Sequence, residues 1–188
     1  MMGIAVICGS SRKNGNTEAL ADQLIDGLGA DKICLRDFHV RPVSDFRHSE
    51  TRPYYPDDDY RDLLSRVAEK DIIIFATPIY WYGMSGLMKN FIDRWSQTLI
   101  EKGRDDFTQQ MSRKTGYVIA VGDDEPHIKG LPLIQQFQYI FDFMNMTFGG
   151  YIIGKGNQPG SILNDSSALF SVNELRQKLA AYEKRRKV

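Results

Sequence analysis

The chain has 188 residues, with 24 Lys and Arg balanced by 24 Asp and Glu, and two cysteines. That length suits one well-buried domain, taken as 1–188, and is short for two. A formal net charge of zero excludes a global field that would draw nucleic acid or an anionic membrane, and no apolar run is long enough to span a bilayer.

Met1-Met2-Gly3 leads into the short apolar run Gly3-Ile4-Ala5-Val6-Ile7-Cys8 without a signal-peptide pattern, which predicts a buried first strand and a cytoplasmic location. A loop of small polar residues, Gly9-Ser10-Ser11-Arg12-Lys13-Asn14-Gly15-Asn16-Thr17, follows. Leu20, Ala21, Leu24, Ile25 and Leu28 then recur at helical spacing. Lys32-Ile33-Cys34-Leu35 is a second strand, and Tyr60 to Lys70 a helix with Leu63, Leu64 and Val67 on one face. Asp71 to Thr77 is apolar on both faces, the mark of a central parallel strand. Met84, Leu87, Met88, Phe91, Ile92 and Trp95 form a helical stripe whose opposite face carries Lys89, Asp93 and Arg94. Thr115 to Val121 is the fourth strand, Ile134 to Met144 a helix, Phe148 to Ile153 the last strand, and Ser166 to Arg186 a closing helix. Strands alternating with helices predict an α/β fold, a five-stranded parallel sheet covered on both sides as a three-layer sandwich. Cys8 and Cys34 fall in the first two strands and suit reduced core thiols, a disulfide between the neighbouring strands being the lesser reading. The connection from Arg36 to Tyr60, with Arg41, Arg47, His48, Arg52, Tyr54 and Tyr55, is abnormally long. It reads equally as a surface loop and as a flap or a subunit-contacting arm.

The first loop is the most informative stretch. A strand turning through Gly, Ser and Asn into a helix presents backbone N–H groups at a helix N-terminus, a ready anion site. Ser10, Ser11, Asn16 and Thr17 add donors, and Arg12 a charge that grips a phosphate through two bonds. Five residues separate Gly9 from Gly15, and Asn16 stands where a nucleoside-triphosphate loop needs lysine. No dinucleotide pattern of three glycines is present either. Cys8 with Arg12 invites a phosphatase reading, but Asn14 occupies the position where that chemistry needs its arginine. A cradle for one terminal phosphomonoester remains.

In such a sheet, ligands bind outside the carboxyl ends of the strands where strand order reverses. The third strand ends there in Thr77-Pro78-Ile79-Tyr80-Trp81-Tyr82-Gly83-Met84-Ser85-Gly86. Three consecutive aromatics on a loop cannot all enter the core, and flat rings suit either a flat ligand or a subunit interface. A phosphate site beside an aromatic platform describes a mononucleotide with a large planar ring, for which flavin mononucleotide is the natural candidate.

These two blocks, with the following Met88-Lys89-Asn90-Phe91-Ile92-Asp93-Arg94, closely resemble the NADPH-dependent FMN reductase family of flavodoxin-like proteins, over nearly the whole chain. With a phosphate loop after the first strand and a second site after the third, the flavodoxin-like strand order 2-1-3-4-5 fits best. The resemblance implies that Ser10, Arg12, Asn16 and Thr17 hold the FMN phosphate, with Asn14 counted in the same loop. Pro78, Ile79, Tyr80, Trp81, Gly83 and Met84 would hold the ring and ribityl chain, and Gly122 would approach the ring. Iron–sulfur relatives carry clustered cysteines after the second strand; here Arg41-Pro42-Val43-Ser44-Asp45-Phe46-Arg47-His48 has none, so no such centre is expected. A metal site from His39, His48 and Asp45 is the improbable reading. The expected activity is hydride transfer from NAD(P)H through flavin N5 to a small acceptor: a quinone, free flavin, nitro- or azo-aromatic. No side chain need act as acid, base or nucleophile. Backbone amides from Tyr80 to Gly83 and at the next helix start are candidates to steady the reduced ring. A non-enzymatic electron carrier is the rival. Tyr139 and Phe143 lie off the main apolar stripe of their helix, and the family resemblance implies a homodimer or homotetramer.

Overall fold

Five strands form one sheet in the order β2-β1-β3-β4-β5, every neighbouring pair parallel. The computed structural model describes residues 3–44, 56–101 and 103–185. In chain order the elements are β1 (Ile4–Cys8), α1 (Asn16–Ile25), β2 (Ala30–Cys34), a 3-10 turn (Leu35–Asp37), α2 (Tyr60–Ala68), β3 (Ile72–Pro78), α3 (Gly86–Asp93), α4 (Trp95–Glu101) and α5 (Arg104–Ser112). β4 (Thr115–Gly122), α6 (Pro126–Lys129), α7 (Leu131–Phe143), β5 (Thr147–Lys155), a second 3-10 turn (Ser161–Asn164) and α8 (Ser166–Arg185) follow. The flavodoxin-like order expected from the sequence is the order observed.

Alternation along the strands divides the core in two. Ile7, Ile73, Phe75, Val118 and Ala120 face α2, α3, α4, α5 and α7, where Phe91, Trp95, Phe107, Phe137 and Phe141 are buried. Ile4, Val6, Cys8, Ile74, Ala76 and Ile119 face α1 and α8, an aliphatic layer with Leu20, Leu24, Val172 and Leu179. β3 is buried along its whole length, as a central parallel strand must be when both faces are covered. Phe75 contacts Trp95, Phe137 and Phe141 at ring centroid separations of 6.2, 5.3 and 5.4 Å. Among the described residues, both cysteines are free thiols.

The structure corrects three expectations. The stripe from Met84 to Trp95 is two helices, broken at Arg94, with Met84 outside the helical residues. α5 and the short α6 fall in stretches where no helix was expected. Arg94, expected on the polar face, is buried with Asp58, both side chains 1% exposed. Its guanidinium also donates to Gln97 Oε1 at 2.7 Å and to the Arg41 carbonyl at 3.0 Å, and it lies 4.5 Å from the Tyr60 ring. Satisfying its donors in this way is the condition under which a buried charge is tolerated. The described start of the long connection is therefore fastened down, with His39 N–H on Asp59 and Arg41 N–H on Asp58. Asp45, Arg47, His48, Arg52, Tyr54 and Tyr55 lie outside the described residues.

Candidate functional site

Parallel pairing in register puts Cys8 beside Ala76, Pro78 beside Val121, and Gly122 beside Lys155. The chain leaves the sheet at these points, so four turns meet at one rim. They enclose an open cleft of about 210 Å³. Ser10, Arg12, Gly15, Asn16 and Thr17 line it from the first turn, and Pro78, Ile79 and Tyr80 from the second. Val121, Gly122 and Asp123 come from the third, Gly156 and Asn157 from the fourth.

The first turn is shaped by its own hydrogen bonds. Ser10 Oγ accepts from Arg12 N–H and donates to the Arg12 carbonyl, both at 3.2 Å. Asn14 takes the left-handed conformation, φ 54°, and its N–H donates to the Glu18 carboxylate at 3.2 Å. α1 begins after Gly15, with no side-chain cap. The amides of Asn16, Thr17 and Glu18 therefore lack an intrahelical acceptor. Thr17 is buried, whereas Arg12 is exposed on the cleft wall. Asn16 is used differently from expectation. Its Nδ2 donates to the Gln158 carbonyl at 2.9 Å and to Ser161 Oγ at 3.3 Å, tying the first turn to the fourth. What Asn16 offers a ligand is its backbone.

The second turn is held to the first by a residue that pattern reading overlooked. Ser85, 2% exposed, caps α3 by accepting from Met88 N–H at 3.2 Å, and its hydroxyl donates to the Gly9 carbonyl at 2.6 Å. Its own N–H donates to Thr77 Oγ1 at 2.9 Å. Gly9 has no room for a side chain, since a Cβ there would lie 2.9 Å from Ser85 Oγ and 3.0 Å from Met88 Cβ.

Tyr80 and Gly83 exchange both backbone hydrogen bonds at 3.0 Å, closing a two-residue turn. Trp81 and Tyr82 occupy its centre at φ 49° and 64°, the left-handed geometry that such tight turns usually fill with Gly or Asn. For bulky residues this costs about 1–2 kcal/mol each. The amides of Tyr80 and Gly83 are thus committed to each other's carbonyls, and those of Ser85 and Met88 to neighbouring hydroxyls. All three aromatics are exposed, Trp81 to 96%. Tyr82 Oη donates to Asp124 at 2.9 Å, which raises the phenol pKa, while Asp124 is held below the usual carboxylate range first by Lys129 at 2.7 Å and then by Tyr82.

Of the expected site residues, Ser10, Arg12, Asn16, Thr17, Pro78, Ile79, Tyr80 and Gly122 line the cleft. Asn14, Trp81, Gly83 and Met84 stand outside that lining: Asn14 turns its amide to Glu18, Trp81 points to solvent, Gly83 closes the turn, and Met84 is buried in the aromatic core. Asp123, Gly156 and Asn157 complete the lining, with Asn157 Nδ2 donating to Asp123 at 2.9 Å. The sequence reading missed all three; the rule that ligands gather at strand ends, had it been applied to β5, would have found the last two. Cys8 is 1% exposed, and burial, with Cys34 beside it, pushes its thiol well above the ordinary range, so it is no thiolate nucleophile. Among the described residues, no three His, Cys, Asp or Glu side chains gather as a metal site.

The sequence pattern of NADPH-dependent FMN reductases matches residues 2–157. The NAD(P)H-dependent FMN-containing oxidoreductase YwqN of Bacillus subtilis is 52% identical over 174 residues, covering 93% of this chain and 96% of its own. An iron–sulfur flavoprotein of Methanocaldococcus jannaschii is 29% identical, with 95% and 96% covered. The structure of a Bacillus subtilis protein described as Trp repressor binding protein superposes with a TM-score of 0.77 at 49% identity, over 92% of this chain and 96% of that one. A family pattern spanning most of its length, joined by a relative sharing half its residues, shows that the chain belongs to the NADPH-dependent FMN reductase family.

Proposed function

We propose that the cleft holds FMN with its phosphate at the start of α1 and its ring system toward the β3–α3 turn, and that electrons pass from NAD(P)H to a small acceptor there. Family membership makes FMN the cofactor and NAD(P)H the electron donor. The observation that supports the placement is the change of character along one cleft. Its first wall offers amide donors without acceptors and the Arg12 guanidinium; its second offers Pro78, Ile79 and the Tyr80 ring. Donors with one cation fit a phosphomonoester dianion; the carboxylate beneath the first turn, Glu18, is already engaged by Lys32 and Arg36, and Asp123 on the third turn accepts from Asn157 Nδ2.

When bound, FMN supplies the hydride-accepting and electron-donating chemistry that no side chain of the cleft possesses. The protein's part is to hold and to shield. Arg12 with the amides of Asn16 and Thr17 grips the phosphate, Gly122 lets backbone approach closely, and Tyr80 excludes water from one side. The acceptor proposed is planar (a quinone, free flavin, nitro- or azo-aromatic), since the exposed Trp81 ring offers it a stacking surface. One domain, 1–188, working in the cytoplasm as a homodimer or homotetramer, completes the reading. Ile128, Leu131, Tyr139 and Phe143 support the assembly, being apolar and exposed along α6 and α7. Purified protein should be yellow, bleach anaerobically with NADPH or NADH, and regain colour on adding a quinone. Colour that no nicotinamide bleaches would refute the reductase reading, and failure of the quinone to restore it would remove that acceptor.

A further inference from the structure

Glu18 poses an electrostatic problem. Its side chain is 7% exposed, in the first turn of α1 and directly beneath the loop that would receive a phosphate. A buried carboxylate there repels the ligand unless it is neutralised. Its neighbours do so. Arg36 grips both carboxylate oxygens, Nη1 at 2.8 Å and Nη2 at 3.1 Å, and Lys32 Nζ stands at 2.9 Å. Burial works to raise the Glu18 pKa, but these bonds overcome it and hold the carboxyl at about 2.

The same groups reach the loop backbone. Arg36 Nη1 donates to the Arg12 carbonyl at 3.3 Å, while Glu18 accepts from Asn14 N–H at 3.2 Å. The segment from Arg12 to Asn14 is therefore pinned at both ends by one ion pair, whose cation comes from the 3-10 turn after β2. Neither Glu18, Lys32 nor Arg36 lines the cleft. We infer that Glu18 and Arg36 are positioning residues, which fix the first turn in its phosphate-receiving shape and thereby set the preference for a phosphorylated flavin over the same flavin without phosphate. This rests on the FMN placement proposed above.

Riboflavin shares the ring and ribityl chain of FMN and lacks the phosphate, so the ratio of the two affinities isolates the first turn. Fluorescence titrations of the flavin-free full chain with FMN and with riboflavin should show a clear preference for FMN in the native protein. Arg36→Met keeps the apolar stem and removes the fork; it should cut that preference at least tenfold while riboflavin affinity stays within about twofold. Arg36→Lys supplies one ammonium where a planar fork is required, and should cut it several-fold even where the Met variant fails to fold. Equal weakening of both ligands, or an unchanged ratio in both variants, would overturn the positioning role and reduce the pair to a structural brace. A native protein with no preference for FMN would instead remove the phosphate placement itself, and this inference with it.

Discussion

The two halves of the cleft are built on opposite principles. The first turn is satisfied internally: Ser10 closes it on itself, Glu18 and Arg36 brace it, and Asn16 straps it to the fourth turn. What it leaves open is a row of amides at a helix start. The second turn holds two bulky residues in left-handed conformation and projects their rings outward, secured by the Tyr80–Gly83 pair and by Tyr82 on Asp124. An anion demands fixed dipoles, so the protein spends hydrogen bonds on rigidity there. A flat ring demands only surface, and strain is tolerated because its cost is small beside the core that anchors both ends of the turn.

Substitutions can break this contrast in order of expected size. Arg12→Ala should weaken FMN by about 1.5–3 kcal/mol, the scale of a charged hydrogen bond, and leave riboflavin almost unchanged; parallel titrations check it. Ser85→Ala removes the cap of α3 and leaves the Gly9 carbonyl unpaired, which should cost about 1–2 kcal/mol of stability in urea unfolding. Because Ser85 joins the two turns, both ligands should weaken together, unlike in the Arg12 variant. Trp81→Gly should move stability the other way, raising it by about 1 kcal/mol through relief of the left-handed strain, while slowing reduction of planar acceptors. A Trp81→Gly protein less stable than the native one would show that the turn is not strained.

The last effect is read on acidification. The Glu18 carboxyl lies at about 2 in the fold against an ordinary 4.5, so its ionised form contributes fully above pH 4.5. That contribution disappears as pH falls toward 2. Native protein should therefore lose stability more steeply across this window than Glu18→Gln, which has no carboxyl to protonate. Asp31, Asp58 and Asp165 are also depressed but titrate in both proteins, and the difference between the two curves isolates Glu18.

How legible each part was follows from the range of the interactions that make it. The strands and the stripes of α1, α2, α3 and α7 are written as local periodicity, and the sheet order follows from placing two ligand loops after the first and third strands. α5 was missed because few of its residues face the core, chiefly Phe107 and Met111, too few for a stripe. Arg94 was misread as a surface cation because its partner Asp58 lies 36 residues away, in a stretch without pattern. Two of the cleft's turns stand out by composition at strand ends, small polar residues in one and aromatics in the other, while their individual site residues, and Gly122 altogether, came from the family resemblance. Glu18, Arg36 and Ser85 escaped because a hydrogen bond across 18 or 76 residues leaves no trace in spacing.

The position of one phosphate decides the functional reading, and a crystal structure of the chain with FMN measures it directly. The phosphate oxygens should lie within about 3 Å of the Thr17 amide and the Arg12 guanidinium, with the ring system beside Tyr80 and Gly122. A phosphate bound away from the start of α1, or a ring turned away from the Tyr80 wall, would contradict it.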